Sequence, residues 1–348
     1  MYVIVLLACF ILSIVLTPLV KRFAIFIGAT DQPNQRKVHS KLMPRLGGLA
    51  IFLSFFIGYI ILKPVSPYAL GILAGAFVIT ITGILDDIFE LSAKVKLIGQ
   101  FAAALLVIFL GGAQLELINF PFGGQIEFGY LSIPLTIIWI VGITNAINLI
   151  DGLDGLAAGV SSIALITISG MALTMGDAFV ATIGSLLLVS TLGFLFYNFH
   201  PAKIFMGDTG ALFLGYMISV LALLGFKNIT VISLIIPVII LGVPISDTFF
   251  AIIRRFVNKQ PLSEPDKSHL HHCLLRIGYT HRQTVLIIYS IAALFGLAAV
   301  IFSQATFWGA VILIAVLLVA IEIFVESIGL VGQNYQPLLK IVKTRRNS

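Results

Sequence analysis

Residues 3–20 read VIVLLACFILSIVLTPLV, eighteen residues without a single charge, and the run ends at Lys21 and Arg22. A helix needs about 20 apolar residues to cross roughly 30 Å of hydrocarbon. Basic residues do not precede the run, and a small-residue cleavage site does not follow it. The stretch therefore predicts a retained membrane span rather than a cleaved signal peptide.

Runs of this kind recur along all 348 residues, which are 59% hydrophobic and only 10% charged. A soluble domain has about 25% charged residues, and lipid accepts only helices or closed barrels as spanning structures. The sequence thus predicts an all-α, polytopic helix bundle, with one transmembrane domain at 1–326 and a basic tail at 327–348. The eleven candidate spans are 3–20, 46–62, 69–85, 97–111, 131–147, 156–175, 178–197, 211–225, 229–250, 284–302 and 306–326.

The basic residues predict the orientation of these spans. If the N-terminus lies outside and the C-terminus in the cytoplasm, all of the 21 Lys and Arg except Lys63 and Lys227 fall on the cytoplasmic side, as the positive-inside rule requires. Such a face suits anionic lipid headgroups or phosphorylated substrates. Nucleic acid is a poor partner, because the chain has no soluble basic domain. The cytoplasmic loops would be 21–45, 86–96, 148–155, 198–210 and 254–283.

Acidic residues gather at the predicted inner ends of four spans. The four stretches are TITGILDDIFE (80–90), NAINLIDGLDG (145–155), NFHPAKIFMGDTG (198–210) and PISDTFF (244–250). Charges near hydrocarbon are costly and usually face an internal cavity. Four clusters at one depth therefore predict one shared cytoplasmic site. In the second stretch, Asn145, Asn148, Asp151 and Asp154 have the i,i+3 spacing that places residues on one helix face.

Each cluster also has a purely structural interpretation. The Asp86–Asp87 pair suits a solvated helix end, and the stretch 145–155 suits a polar seam between helices. Asp208 can cap the eighth helix, while Asp247 can pair with an arginine two turns later. All four interpretations would have to hold together for the shared site to be absent.

The largest polar loop reads RRFVNKQPLSEPDKSHLHHCLLRIGYTHR, from Arg254 to Arg282. Its His-x-His-His-Cys spacing is tighter than the usual paired ligands of zinc, which remains an alternative together with a solvated basic loop. Arginine and histidine donors favour a phosphate-binding loop. Carboxylates with phosphate groups suit Mg²⁺, and phosphoryl transfer needs positioning and charge neutralisation. One substrate would come from the bilayer and one from the cytoplasm.

Four ordered motifs, LDDIFELSAKVK, NAINLIDGLDGLAAG, FMGDTGALFLGY and HLHHCLL, resemble those of the polyprenyl-phosphate N-acetylhexosamine-1-phosphate transferases. The resemblance implies Mg²⁺-dependent transfer of GlcNAc-1-phosphate from UDP-GlcNAc to undecaprenyl phosphate, with release of UMP, at the plasma membrane. The split HLHH pattern resembles the GlcNAc branch, especially the bacterial enzymes that start wall teichoic acid. The MurNAc-pentapeptide branch has three consecutive histidines.

The resemblance also implies roles for individual residues, with Mn²⁺ expected to substitute for Mg²⁺. It implies that Gly47 and Gly48 line the nucleotide pocket together with Arg45. The implied catalytic residues are Asp86, Asp87 and Lys96. The implied metal ligands are Asn148 and Asp208. The implied substrate-binding residues are Arg45, Asp151, Asp154, Phe205, His269, His271 and His272.

Two other classes of protein remain open on the residues alone. An ion-coupled transporter would need coupling carboxylates near the middle of its spans, whereas these acids lie at the inner ends. An intramembrane aspartyl protease would use two aspartates and leave the other clusters idle. The sequence leaves the downstream polymer and the oligomeric state open, and a homodimer is compatible with it.

Overall fold

The computed structural model describes residues 1–31, 42–119, 124–226, 231–257, 259, 269–331 and 335–340. Parts of the predicted loops 21–45 and 254–283, together with the basic tail from residue 341 onward, lie outside the described residues. The residues assigned to the site all lie inside them.

Helices make up nearly all of the described chain, which confirms the prediction of an all-α helix bundle. Two short antiparallel pairs accompany them, β1 (Thr30–Asp31) with β2 (Met43–Pro44) and β3 (Leu117–Asn119) with β4 (Gln125–Glu127). A 3₁₀ turn covers Gly129–Leu131. The helices are α1 (Tyr2–Ile27), α2 (Gly47–Leu62), α3 (Ala69–Phe89), α4 (Ala93–Gly111), α5 (Ser132–Leu149), α6 (Leu156–Thr174), α7 (Ala178–Asn198), α8 (Gly207–Phe226), α9 (Val231–Ile240), α10 (Gly242–Val257), α11 (Leu270–Ile277), α12 (His281–Gln304) and α13 (Phe307–Ile328).

Nine helices of the described chain are long and apolar enough to cross a membrane, and the shorter α2 is apolar as well. The predicted span 229–250 differs from the structure, where α9 and α10 are separate helices. Pro244 has no N–H to donate to the carbonyl of Ile240 one turn earlier, and Gly242 precedes it. A proline costs a helix interior one backbone hydrogen bond but costs a first turn none. The chain restarts here as α10, with Pro244 in its first turn.

Helix α8 lies at the centre of the bundle. In its apolar stretch, 94% of the residues are buried inside the protein, whereas only 11% are buried in that of α13. It packs against α3 and α5, and the Tyr216 hydroxyl donates to the carbonyl of Ile72 in α3 at 3.0 Å. A buried helix of this kind can place a polar first turn at a fixed position, because its other faces are held by neighbouring helices.

Two helix boundaries differ from the predicted spans in ways that matter for the site. Helix α8 begins at Gly207 rather than at 211, so Asp208 lies in its first turn. Helix α5 ends at Leu149, so Asp151 and Asp154 follow in turns instead of continuing the face of Asn145 and Asn148. Gly155, with φ 77°, adopts the left-handed conformation that side chains disfavour.

Candidate active site

The first turn of α8 is where the predicted site residues meet. The α3 end with Asp86 and Asp87, the α4 start with Lys96 and the α5 end with Asn148 all reach Asp208. The structure thus brings together three of the four predicted acidic clusters, those of α3, α5 and the α8 start, and adds Lys96 from α4. The fourth cluster differs from the prediction, because Asp247 on α10 binds the start of α11.

Asp208 is held by a cation and an amide from two different helices. The Lys96 ammonium donates to Asp208 Oδ2 at 2.7 Å and reaches Asp86 Oδ2 at 3.4 Å. The Asn148 side-chain nitrogen donates to Asp208 Oδ1 at 3.1 Å. The Asp208 side chain is 23% exposed, so it remains open to a ligand. These contacts show that Asp208 is not simply the cap of α8.

Asp87 makes the contacts of a helix cap. Its side chain is fully buried and accepts from the backbone nitrogens of Asp208 and Thr209 at 2.9 and 3.0 Å, and from the Thr209 hydroxyl at 2.6 Å. The first N–H groups of a helix lack partners within it, and a carboxylate there is also stabilised by the helix dipole. Asp87 therefore fixes the start of α8 from α3, whereas its neighbour Asp86 faces Lys96.

Backbone hydrogen bonds join the segment around Arg45 to Phe205, which lies just before the start of α8. Phe205 donates its N–H to the Pro44 carbonyl at 2.9 Å, and Gly47 donates to the Phe205 carbonyl at 3.0 Å. The Arg45 guanidinium lies 3.2 Å from Asp31 and 3.5 Å from Asp87. A Cβ on Gly48 would overlap the backbone of Gly210, so glycine is needed for this close approach. Arg45 and the partly exposed Phe205 are thereby placed beside Asp208.

Asp151 and Asp154 lie in the same loop but have different surroundings. Burial, followed by repulsion from Asp208, Asp87 and Asp154, raises the pKa of Asp151 to about 8. Asp154 accepts from His200 Nδ1 at 2.7 Å and from the Ala202 N–H at 3.0 Å. Asp154 thus links the loop to the α7–α8 connection. Asp151 adds a carboxyl group that is mostly protonated at pH 7.

His200 and His281 were not singled out from the sequence. Their rings stack at 4.1 Å, and together with Asp154 they form the one group of three metal-ligand types found among the described residues. His200 lies inside the quoted stretch 198–210, so its place beside a motif was an available signal. His281 lies in the first turn of α12, and only the fold brings it to Asp154.

The three histidines of the HLHH motif lie on or beside α11 and have unequal roles. His269 is turned to Asp247, whose carboxylate oxygen lies 2.9 Å from His269 Nδ1. Burial, with a further contribution from the adjacent His272, lowers the pKa of His271 to about 3. His271 is therefore a neutral imidazole at pH 7. His272 is partly exposed, and its ring lies 4.2 Å from that of His271.

His271 contacts the loop that carries Asp151 and Asp154. A Cβ on Gly152 would overlap the His271 ring, so the glycine leaves room for the imidazole. Within the described part of the chain, His269, His271, His272 and Cys273 do not gather into a group of three metal-ligand types. The alternative interpretation of Asp247, a pair with an arginine two turns later, differs from the structure, in which the carboxylate binds His269 and the Leu270 N–H.

The donor set around Asp208 suits a hard divalent cation. Asp208 and Asn148 place a carboxylate and an amide side by side, and turning the amide would present its oxygen. Burial and, after it, repulsion from Asp208 raise the pKa of Asp151, and a bound cation would offset that repulsion. Mg²⁺ is usually bound through one or two carboxylates plus substrate phosphate oxygens and water. The residues therefore fit such an ion.

Comparison with known proteins places the same region within a described family. Residues 69–226, from α3 through α8, match the model of glycosyl transferase family 4. This range contains Asp86, Asp87, Lys96, Asn148 and Asp208, while the HLHH motif lies beyond it.

Similar proteins extend the match over most of the chain. The probable undecaprenyl-phosphate N-acetylglucosaminyl 1-phosphate transferase of Bacillus subtilis (strain 168) is 52% identical over 333 residues, covering 95% of this chain and 93% of that protein. The decaprenyl-phosphate N-acetylglucosaminephosphotransferase of Mycobacterium tuberculosis (strain ATCC 25618 / H37Rv) is 35% identical, covering 91% and 87%. The undecaprenyl-phosphate alpha-N-acetylglucosaminyl 1-phosphate transferase of Escherichia coli (strain K12) is 29% identical, covering 77% and 75%.

Proposed function

This chain belongs to glycosyl transferase family 4, among the polyprenyl-phosphate N-acetylglucosamine-1-phosphate transferases, and we propose that it transfers GlcNAc-1-phosphate from UDP-GlcNAc to undecaprenyl phosphate. The observation that carries the proposal is the cluster of Asp86, Lys96, Asn148 and Asp208 at the start of the buried helix α8. Carboxylates, an amide and an ammonium at one point suit the binding of phosphate groups and a divalent cation.

The proposed reaction breaks one phosphoanhydride bond of the sugar phosphate and forms another. A phosphate oxygen of the lipid attacks the phosphorus that bears the sugar, and the bond from that phosphorus to the UMP oxygen breaks. The products are GlcNAc-diphospho-undecaprenol and UMP. An anionic nucleophile meets an anionic diphosphate, so the site must neutralise charge and align the two groups.

We assign the roles from the contacts of each side chain. Lys96 binds phosphate oxygens and holds Asp86 and Asp208 in place. Asp86 orients the lipid phosphate, while Asp87 positions the α8 start. Asn148 and Asp208 would hold Mg²⁺, which when bound supplies charge neutralisation for the UMP leaving group. Neutral His271 binds the sugar nucleotide through hydrogen bonds rather than through a positive charge.

The nucleotide side of the site is proposed to include residues from three further segments. Phe205 offers an aromatic face for the uracil, and Arg45 lies beside it. Asp151 and Asp154 would face the nucleotide and the metal, and His272 completes the histidine group beside His271. His269 supports this group indirectly, because its ring is hydrogen-bonded to Asp247.

We place the site on the cytoplasmic face of the plasma membrane, because the distribution of Lys and Arg predicts this orientation. The similar proteins are N-acetylglucosamine-1-phosphate transferases by name, which favours UDP-GlcNAc over UDP-MurNAc-pentapeptide as the donor substrate. The resemblance of the motifs supports a role at the start of cell-wall glycopolymer synthesis, with teichoic acid as the proposed polymer.

The decisive experiment mixes the purified protein with radiolabelled UDP-GlcNAc, Mg²⁺ and undecaprenyl phosphate. We expect label in the lipid extract and one UMP released for each labelled lipid. UDP-MurNAc-pentapeptide in place of UDP-GlcNAc serves as the control and should give no labelled lipid. A transporter or a protease would release no UMP, and that result would refute the proposal.

The orientation gives a separate prediction that cysteine labelling can test. Gln125 and Arg276 are both exposed, and the native Cys9 and Cys273 are buried, so background labelling should be low. In intact cells, a membrane-impermeant maleimide should label Gln125→Cys and leave Arg276→Cys unlabelled. Permeabilised cells should show labelling of both variants. The reverse pattern in intact cells would place the site outside and overturn the assignment.

A further inference from the structure

Asp247 is a buried acid that the proposed chemistry leaves without a role. It lies on α10 and is 2% exposed. Its Oδ2 lies 2.9 Å from His269 Nδ1, and its Oδ1 accepts from the Leu270 N–H at 2.8 Å. The arginine two turns later does not take this carboxylate, because Arg254 donates to the carbonyl of Leu330 at 2.7 Å. Both partners of Asp247 therefore belong to the start of α11.

The surroundings of Asp247 make these two bonds decisive for its position. Asp247 lines an apolar cavity between α10, α12 and α13, together with Val243, Phe295 and Phe324. A carboxylate in apolar surroundings is costly unless it is hydrogen-bonded. His269 and the Leu270 N–H at the start of α11 meet that requirement. These bonds fix the position of the helix start relative to the carboxylate.

The bond to Leu270 is a helix cap supplied from another helix. Leu270 is the first residue of α11, and the side chain of the N-cap residue His269 makes no capping bond of its own. The N–H groups of a first turn need outside partners, and a negative charge there is favourable. Asp247 supplies both the acceptor and the charge, and it thereby sets where α11 begins.

The bond to His269 also fixes the histidine that lies beside His271, the proposed sugar-nucleotide ligand. An imidazole whose Nδ1–H donates a hydrogen bond to a carboxylate has its ring plane fixed by that bond. The His269 and His271 rings are nearly parallel, with an angle of 4° and centroids 6.1 Å apart. His271 in turn contacts Gly152 in the loop that carries Asp151. The chain of contacts therefore runs from Asp247 through the first turn of α11 to the wall of the site.

We propose that Asp247 is a positioning residue for the nucleoside-diphosphate-sugar site, holding His269 and the first turn of α11 so that the His271 ring stays against the Gly152 loop. The inference rests on the proposed function, since it names what that site needs. Asp247 does not touch the substrate, and its effect is exerted through α11.

The test compares Asp247→Asn with a matched control. Asparagine is nearly isosteric, but its amide cannot accept through both positions. We expect the KM for UDP-GlcNAc to rise about 10- to 100-fold, because misplacing a binding group by roughly 1 Å costs on that order. The KM for undecaprenyl phosphate should change by less than about twofold, since Lys96 and Asp86 are untouched by α11.

Asp177→Ala is the control, because Asp177 also caps a helix and alanine removes the capping acceptor, which asparagine would retain. Its carboxylate accepts from the Val180 N–H at 2.9 Å at the start of α7, away from the histidine motif. This variant should lose thermal stability to a degree similar to Asp247→Asn and keep wild-type values of both KM. If the two variants behave alike in both KM values, Asp247 is only a structural cap and the inference fails.

A double-mutant cycle and a binding assay complete the design. Adding His269→Ala to Asp247→Asn should raise the KM for UDP-GlcNAc little further, because both changes break the same connection. The Kd for UDP-GlcNAc, measured by equilibrium dialysis without lipid, should rise in Asp247→Asn as the KM does. Wild-type protein that binds UDP-GlcNAc but releases no UMP when undecaprenyl phosphate and Mg²⁺ are supplied would refute the proposed reaction. An unchanged Kd in Asp247→Asn would refute the inference about Asp247.

Discussion

Replacement of Asp208 by alanine is expected to reduce UMP release by at least about 1,000-fold, because the loss of a metal ligand raises the barrier by several kcal/mol and ~4 kcal/mol corresponds to that factor. The variant should still fold, since Asp87 rather than Asp208 caps α8. Lys96 would keep its contact with Asp86. The measurement is the initial rate of UMP release, with thermal unfolding in detergent as the check on folding.

Asn148→Ala is the matched variant on the other side of the proposed cation. The rate of UMP release should fall less in Asn148→Ala than in Asp208→Ala. Raised Mg²⁺ or added Mn²⁺ should partly restore that rate, because the remaining Asp208 carboxylate supplies most of the charge. The same additions should hardly help Asp208→Ala. Rates measured against metal concentration for both variants give this comparison. A wild-type rate and wild-type metal dependence in Asp208→Ala would show that Asp208 has no part in the reaction, and the proposed site would be wrong.

The adjacent aspartates of α3 should separate into two phenotypes. Asp86→Asn and Asp87→Asn should each lower kcat by at least about 100-fold, the first by losing a group that orients the reacting phosphate and the second by moving the start of α8. Only Asp87→Asn should also destabilise the protein, by about 2 kcal/mol, because an amide nitrogen would replace one of two buried acceptors. UDP-GlcNAc binding should be largely retained in Asp86→Asn.

Thr209→Val controls for the cap, because it removes one of the three bonds to Asp87 and keeps both backbone bonds. It should cost about 1 kcal/mol of stability with turnover largely preserved. Thermal unfolding, kcat and equilibrium binding of UDP-GlcNAc are measured for all three variants. Near-normal turnover in Asp86→Asn would mean that this residue is a helix-end charge without a catalytic role. Unchanged stability in Asp87→Asn would contradict its role as the cap of α8.

The membrane class was predictable because hydropathy is a property of consecutive residues. Ten of the eleven predicted spans correspond to single helices within the described chain, including the short α2. The exception is 229–250, which forms the two helices α9 and α10. Hydropathy does not detect this break, because Pro244 is apolar but lacks a backbone N–H. The predicted spans also begin four residues later than α4 and α8 do. Hydropathy excludes the polar residues of a first helical turn, although those residues have helical backbone conformation.

The sequence by itself determined that this is a helical membrane protein with four polar clusters, because composition, periodicity and spacing are local and can be read without the fold. The tertiary structure alone decided which polar groups pair. Asp86 and Asp87 are neighbours in the chain, yet one faces Lys96 and the other caps α8. Asp247 lies two turns from an arginine, yet its carboxylate contacts His269, 22 residues further along the chain. Each buried charge takes the donor that the packing of helices brings within about 3 Å, and that proximity is a property of the folded bundle rather than of spacing along the chain.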